Sequence, residues 1–289
     1  MILYLNCYHD PAQKSWTKSD YLLAAAKRLG WKWVQRYNHE PNPEYIINIE
    51  PFHSFIKGSK WTAIWEIDVT FDRPQLSFSN WVACDTVFVA NSNLPDRMKG
   101  FQGEKIVLFQ ACDPLIHRRI PDITPRYDFV FSGTTGLDVY KERSRMMDAL
   151  RFHGFSFCDF GKGYTPQDYV KKINEARVQF IRSAYKPPIA NSQVEQRFFE
   201  CLAIGPVLKD YHPDLDELGL VESKDYFSYR NDDEMFFKMQ YLVDHLGFAQ
   251  KMAVNGRRKA LLCHSYEHRF ITIINFIREH DPSFTIPTP

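Results

Sequence analysis

Short apolar runs, separated by helical or looped stretches, recur from one end of this chain to the other, and that alternation limits the fold more than any other feature. ILYLN (2–6), WKWVQRY (31–37), EYIINIE (44–50), WTAIWEID (61–68), DTVFVAN (85–91) and KIVLFQ (105–110) read as strands. YLLAAAKRLG (21–30) has helical spacing and ends on Gly30, a residue suited to a helix C-terminus. A proline-spaced stretch, RRIPDITPRYD (118–128), interrupts the pattern and reads as an interdomain connection. The pattern then restarts. DFVFSG (128–133), FSFCDFG (155–161), VQFIRSA (178–184) and PVLKD (206–210) are strands, and residues 142–154 and 165–176 are helices between them. Three further helices are predicted over 232–247, 248–263 and 265–280. Strands that alternate with helices call for parallel sheets covered on both faces. A chain of 289 residues exceeds the roughly 100–200 of one domain, so two such domains are expected.

Charge and cysteines narrow the function classes. Lysine and arginine number 36 against 35 acidic residues, so bulk charge gives no drive toward nucleic acid or anionic membrane. No apolar run approaches the roughly 20 residues that span a bilayer, and MILYLNCYHDPAQK lacks a basic leader. The six cysteines are scattered, with no CxxC pair to hold zinc or run redox chemistry. A reducing, cytoplasmic setting is the simplest expectation.

The best-marked segment is NSQVEQRFFECLAIGPVL (191–208). Ser192 and Glu195 spell a capping box, Val194, Phe198 and Leu202 form an apolar stripe, and Gly205–Pro206 stop the helix. Its start follows a strand, so it lies at the sheet edge where open α/β folds bind ligands. Free N–H groups and roughly half a positive charge there suit a phosphate. Glu200 falls on the polar side beside Gln196 and Arg197. It reads either as an exposed i, i+3 partner of Arg197 or as a carboxylate that holds ribose hydroxyls.

Several blocks occur in order over most of residues 128–275: Arg197-Phe198-Phe199-Glu200 with Leu202 to Gly205, Asp210, Tyr229 with Asp232 to Glu234, and Gly256-Arg257 with His264-Ser265-Tyr266-Glu267-His268-Arg269. They resemble the CgeB-like branch of the glycosyltransferases. WEID (65–68) and QACDP (110–114) are similar to strand-end patterns in the first half of that family. The resemblance implies an α/β, GT-B architecture, two Rossmann-like domains facing across a cleft. Residues 1–120 would form the acceptor side, 121–264 the nucleotide-sugar side, and 265–289 a helix that crosses back. It also implies transfer of a sugar from a nucleotide diphosphate to a glycan or other hydroxyl, with neither metal nor cofactor. Relatives carry E-x7-E. Here Glu200 matches the second carboxylate, which contacts the ribose, and Ser192 stands where the first would be.

Other residues fit this reading. FSGTTG (131–136) is a strand-to-helix turn whose small residues Gly133 and Thr134 admit a phosphate, and also an ordinary βα turn. Arg143 and Arg145 follow it, and by register Arg145 resembles the family's diphosphate-contacting arginine. Tyr164 in GKGYT (161–165) is placed to stack on a base. Asn191, Ser192, Gln193 and Val194 would line the helix mouth. Glu66 and Asp68 share one side of their strand by alternation and are the candidate catalytic carboxylates, for deprotonating or positioning the acceptor. Asp214-Leu215-Asp216 spells D-x-D but supplies too few converging oxygens for a cation. Doublets such as Lys171-Lys172 leave a nucleic-acid acceptor open. Two rivals stand beside the transferase reading: a non-catalytic sugar-nucleotide or glycan-binding protein, and an NAD-dependent enzyme, the latter opposed by the lack of G-x-G-x-x-G.

Overall fold

The computed structural model describes residues 3–7, 18–30, 32–35, 43–49, 55–66, 83–92, 100–133, 141–161, 163–183 and 193–285. Its strands are β1 (Leu3–Cys7), β2 (Lys32–Gln35), β3 (Tyr45–Ile49), β4 (Trp61–Glu66), β5 (Thr86–Val89), β6 (Glu104–Val107), β7 (Tyr127–Ser132), β8 (Phe157–Phe160), β9 (Ala176–Ile181), β10 (Val207–Asp210) and β11 (Phe227–Tyr229). Its helices are α1 (Lys18–Arg28), α2 (Lys141–Phe152), α3 (Pro166–Asn174), α4 (Gln196–Leu202), α5 (Asp232–Asp244), α6 (Leu246–Cys263) and α7 (Tyr266–His280), with a 3-10 turn over Pro213–Leu218. The chain divides into two compact units, residues 1–110 with 266–289, and residues 111–265. The division therefore falls ahead of the proline-spaced stretch. That stretch is tied to the second unit, where Asn174 accepts the Ile120 amide at 2.9 Å and donates to the Arg118 carbonyl at 3.1 Å.

The first unit is a parallel sheet in the order β2-β1-β3-β4-β5-β6. Every residue of β3 is buried, as is β4 beyond its first residue, which explains why these runs are apolar on both faces. One polar pair sits inside: Asn6 donates to Asn48 at 2.8 Å, and Asn48 exchanges two further bonds with Ile56, each 3.0 Å. Helix α7 belongs to this unit. Its Arg269 donates to the carbonyls of Phe109 at 2.8 Å and Gln110 at 2.9 Å, just beyond β6, and Tyr266 stacks on Tyr21 of α1.

The second unit is a parallel sheet in the order β11-β10-β9-β7-β8. Its main core gathers Phe129, Phe131, Phe180 and Leu208 from the sheet with Met146, Met235, Met239 and Met252 from the helices. Val194, Phe198 and Leu202 are fully buried; Phe198 and Leu202 form the inward face of α4, and Val194 lies just ahead of it. Gly256 sets a close helix crossing. A Cβ there would lie 2.5 Å from the Asp225 carbonyl oxygen and 2.6 Å from Leu202 Cδ1. One residue on, Arg257 donates to the Ala203 carbonyl at 2.6 Å and satisfies the end of α4. Thr165 caps α3, accepting the Asp168 amide, with Pro166 in the first turn. Strand β11 is absent from the sequence reading, since three residues, Phe227–Tyr229, are too short to show a period.

Candidate functional site

Helix α4 is only seven residues long, so its polar side is turned under neighbouring elements. Glu200 on that side is 5% exposed. The Tyr169 hydroxyl, from α3, donates to its Oε2 at 2.8 Å, and the Gln196 amide donates to Oε1 at 2.6 Å. His117 Nε2 lies 3.5 Å from Oε1. The imidazole is wholly buried, and burial lowers its pKa against the opposing pull of Glu200 and Asp113, so it is neutral at pH 7. Its Nδ1 accepts the Asp113 amide at 3.0 Å, which puts the ring proton on Nε2, toward the carboxylate. Burial, then Glu200, pushes the Tyr169 phenol far above its ordinary value, so it stays a donor. The exposed reading of Glu200 is therefore corrected: α3 and the segment after the unit boundary cover it, its closest partners are Tyr169, Gln196 and His117, and it still attracts the Arg197 charge. A carboxylate has about four acceptor sites, so further donors such as a vicinal diol can still be taken.

Arg197 is half-buried beside Gly133, at the end of β7. A Cβ on Gly133 would stand 3.2 Å from Arg197 Nη1 and 2.6 Å from the Phe131 ring, so glycine is what lets this strand end approach the guanidinium. Arg197 Nε is buried without a hydrogen-bond partner among the described residues.

The capping box is also corrected. Helix α4 starts at Gln196, with Glu195 as its N-cap residue and no side-chain cap bond. The Glu195 carboxylate goes instead to Lys209, 2.8 Å away. Lys209 has no exposed surface, and its three protons need three acceptors: Glu195 Oε2, Ser183 Oγ at 2.9 Å and Asp210 Oδ1 at 3.1 Å. Burial would raise the Glu195 pKa, but the Lys209 ammonium overrides it and holds it below the usual carboxylate value. Asp210 also accepts the Ser183 amide on both oxygens at 3.0 Å, which ties the ends of β9 and β10 together.

Of the remaining candidates, Tyr164 shares a neighbour with the Glu200 site: Phe160 packs against both Tyr164 and Tyr169. Arg143 is buried, donates to the Arg182 carbonyl at 2.9 Å and lies over the Phe131 ring. Arg145 is exposed on α2, Tyr164 is half-buried against Phe160 with ring centroids 5.2 Å apart, and Gln193 is half-buried. Glu66 is buried at the end of β4 in the first unit. Asp68, Thr134, Asn191 and Ser192 lie outside the described residues. Asp214 and Asp216 do not converge. The first is buried against His212 and the second accepts the Tyr211 hydroxyl at 2.8 Å. Among the described residues no cluster of three or more ligating side chains could hold a metal, and no helix is long and apolar enough to cross a membrane. The sequence reading missed His117, Tyr169 and Lys209. Only the D-x-x-x-H spacing of Asp113 and His117 hinted at a paired imidazole.

Comparison with known proteins follows the same lines. The sequence profile of a family described as glycosyl transferase-like matches residues 112–275, more than half of the chain. A search of curated protein sequences finds no match. Among solved structures, sucrose-phosphate synthase from Thermosynechococcus elongatus superposes with a TM-score of 0.66 at 10% identity, covering 98% of this chain and 99% of that one. HepE of Anabaena, solved with UDP and glucose, gives 0.63 at 10% identity over 98% and 100%. AviGT4, a glycosyltransferase of avilamycin A biosynthesis, gives 0.60 at 11% identity over 98% of each chain. The two parallel-sheet units thus have the GT-B fold.

Proposed function

We propose, from the premise that the chain belongs to the glycosyl transferase-like family, that it moves a sugar from a nucleotide-diphosphate donor to a hydroxyl acceptor, and that Glu200 holds the donor's ribose. The observation that carries this reading is the setting of Glu200. It is a nearly buried carboxylate, oriented by Tyr169, Gln196 and a neutral His117, one helical turn from the Gly133–Arg197 approach. Carboxylates in nucleotide-binding α/β folds grip ribose hydroxyls in this way. The Arg197 Nε–H without a described partner suits an anionic oxygen, and a diphosphate is the anion next to a ribose.

In this reading the second unit binds the donor, with Arg145 and the Asn191–Val194 amides completing the diphosphate contacts. Charge builds on the departing diphosphate as the C1–O bond breaks, and fixed donors there lower the barrier. The first unit supplies the acceptor side, where Glu66 or Asp68 takes or orients the acceptor proton. No metal is required by these residues. The acceptor is a glycan hydroxyl, and the branch of the family is the CgeB-like one. UDP-glucose is the first donor to try, because HepE was crystallised with it. Ser192, standing where relatives have a carboxylate, favours a second reading, a protein that binds the sugar nucleotide without turning it over.

Calorimetric titration with UDP, GDP and ADP, followed by a donor-hydrolysis assay, tests both. Glu200→Gln keeps the shape and removes the charge. Loss of a charge-assisted bond is worth about 1.5–3 kcal/mol, so affinity for the preferred nucleotide should fall roughly 10- to 150-fold. Equal affinity in variant and parent, or no nucleotide binding by either, defeats the proposal. Binding with no turnover on any donor selects the second reading.

A further inference from the structure

From His245 to Tyr266 the chain has no acidic side chain and four cations, Lys251, Arg257, Arg258 and Lys259. Helix α6 takes up most of that stretch, and every other helix among the described residues carries at least one aspartate or glutamate. The helix buries Ala249, Met252, Gly256 and Ala260 against its own unit. Two of its cations serve there as well. Arg257 donates to the Ala203 carbonyl and Lys259 to the Gly219 carbonyl at 3.0 Å. Opposite the buried stripe, Lys251, Val254, Arg258, Leu261 and Leu262 follow at i, i+3, i+7, i+10 and i+11, which is one face of a helix. All five are exposed, Val254 at 67% and Leu262 at 61%. Among the described residues neither Lys251 nor Arg258 has an acidic partner. The turn alongside extends the face. Asn255 donates to the Lys224 carbonyl at 3.2 Å, which holds the exposed Lys224 and Val221 beside the helix. The acid of that turn, Glu222, is matched by Lys238 at 2.7 Å.

This mixture selects the partner. A stable protein interface takes about 800 Å² per side and keeps charge at its rim, whereas here the cations stand between the aliphatics along a single helix. A nucleic acid would use the cations and leave three bare aliphatic side chains against its phosphates. An anionic bilayer surface uses both: headgroup phosphates meet the cations, and the aliphatic tips enter the acyl boundary.

We infer that this face of α6 docks the second unit reversibly on an anionic lipid surface, with Lys251 and Arg258 on the headgroups and Val254, Leu261 and Leu262 below them. The inference uses none of the residues assigned to the donor and stands whether or not Glu200 holds a ribose. Flotation of the intact chain with phosphatidylcholine vesicles, and with vesicles that also contain phosphatidylglycerol, tests it. Binding to the anionic vesicles alone is expected, weakening as salt is raised. Each cation near a charged bilayer is worth about fivefold in partition, so Lys251→Gln and Arg258→Gln together should weaken binding roughly 25-fold. Leu262→Gln should weaken it by itself, through the lost apolar contact. All three positions are exposed, so the thermal midpoint and nucleotide affinity should stay at the parent's values. Lys171→Gln removes one charge from α3 instead and should leave vesicle binding unchanged. No binding to anionic vesicles overturns the inference, as does equal binding to neutral ones. So does binding that survives the double variant, or that Lys171→Gln weakens as much as Lys251→Gln does. A duplex oligonucleotide that binds this face where vesicles do not would also overturn it, and assign the face to nucleic acid.

Discussion

Replacing Lys209 with methionine should destabilise the second unit in a way that depends on pH. The side chain keeps its length and loses only the ammonium. Three acceptors then lose their donor, at 2.8, 2.9 and 3.1 Å in the parent, and two of them are carboxylates, Glu195 and Asp210. Breaking a buried ion pair from one side costs about 3–5 kcal/mol. The Glu195 side chain keeps 26% of its exposure, so water recovers part of that loss and the lower figure, about 3 kcal/mol, is expected. For about 150 residues this corresponds to a drop of roughly 6–12 °C in midpoint. The sign with pH follows from Glu195. In the parent its pKa is depressed by Lys209, so its contribution is present above the unfolded value, 4.5, and is lost as pH falls through the lower folded value. In Lys209→Met the depressing charge is gone and burial raises the pKa instead. The variant's deficit should be largest at pH 7 and shrink as pH falls through the carboxylate range. Urea melts of both proteins at pH 7 and pH 4 measure this. A deficit of equal size at both values would refute the electrostatic argument and leave only lost packing. Adding Glu195→Gln to the variant should recover part of the loss at pH 7.

Tyr169→Phe keeps the ring and removes the donor to Glu200, so stability should fall by about 1 kcal/mol and nucleotide affinity several-fold, read by urea melt and calorimetry. His117 is held neutral by burial, so unfolding takes up a proton below the ordinary 6.5 and stability should decline as pH falls from 6.5 downward. In His117→Gln that slope between pH 7 and pH 5.5 should flatten, as denaturant midpoints would register. Gly256→Ala forces a methyl against the Asp225 carbonyl and Leu202, which should cost about 1–3 kcal/mol and lower the thermal midpoint in a melt of the variant beside the parent.

The strand series was legible because buried parallel strands must be apolar on both faces, and Ile46, Ile47, Ile64 and Val87 are buried without remainder. The stripe of Val194, Phe198 and Leu202 was legible for the same reason. What the pattern could not give was the destination of polar side chains. Ser192 and Glu195 have the spacing of a capping box, and local rules end there. The demand that moved Glu195 came from Lys209, fourteen residues on and within β10, whose burial no local period signals. Glu200 shows the same limit. A helical wheel ranks it as a surface residue because the wheel sees one helix, whereas α3 brings Tyr169 over it and His117 arrives from the segment that opens the second unit.

Those two failures have a common physical cause, and it bears on the site. The two misread carboxylates belong to one short helix that follows β9, Glu195 half-buried at its N-cap and Glu200 buried within it. Burying a carboxylate is unfavourable unless donors surround it. A lysine with three partners and an imidazole held in one tautomer are the arrangements that make burial tolerable here. An exposed glutamate could meet a ribose in many orientations and would lose entropy on binding. Glu200, with Tyr169 on one oxygen and Gln196 on the other, has already lost that freedom in the folded chain. The ribose proposal therefore predicts more than contact. Tyr169→Phe and Glu200→Gln should weaken nucleotide binding non-additively, because the phenol acts only by fixing the carboxylate. A double-mutant cycle in which the two losses simply add would separate Tyr169 from the role assigned to Glu200.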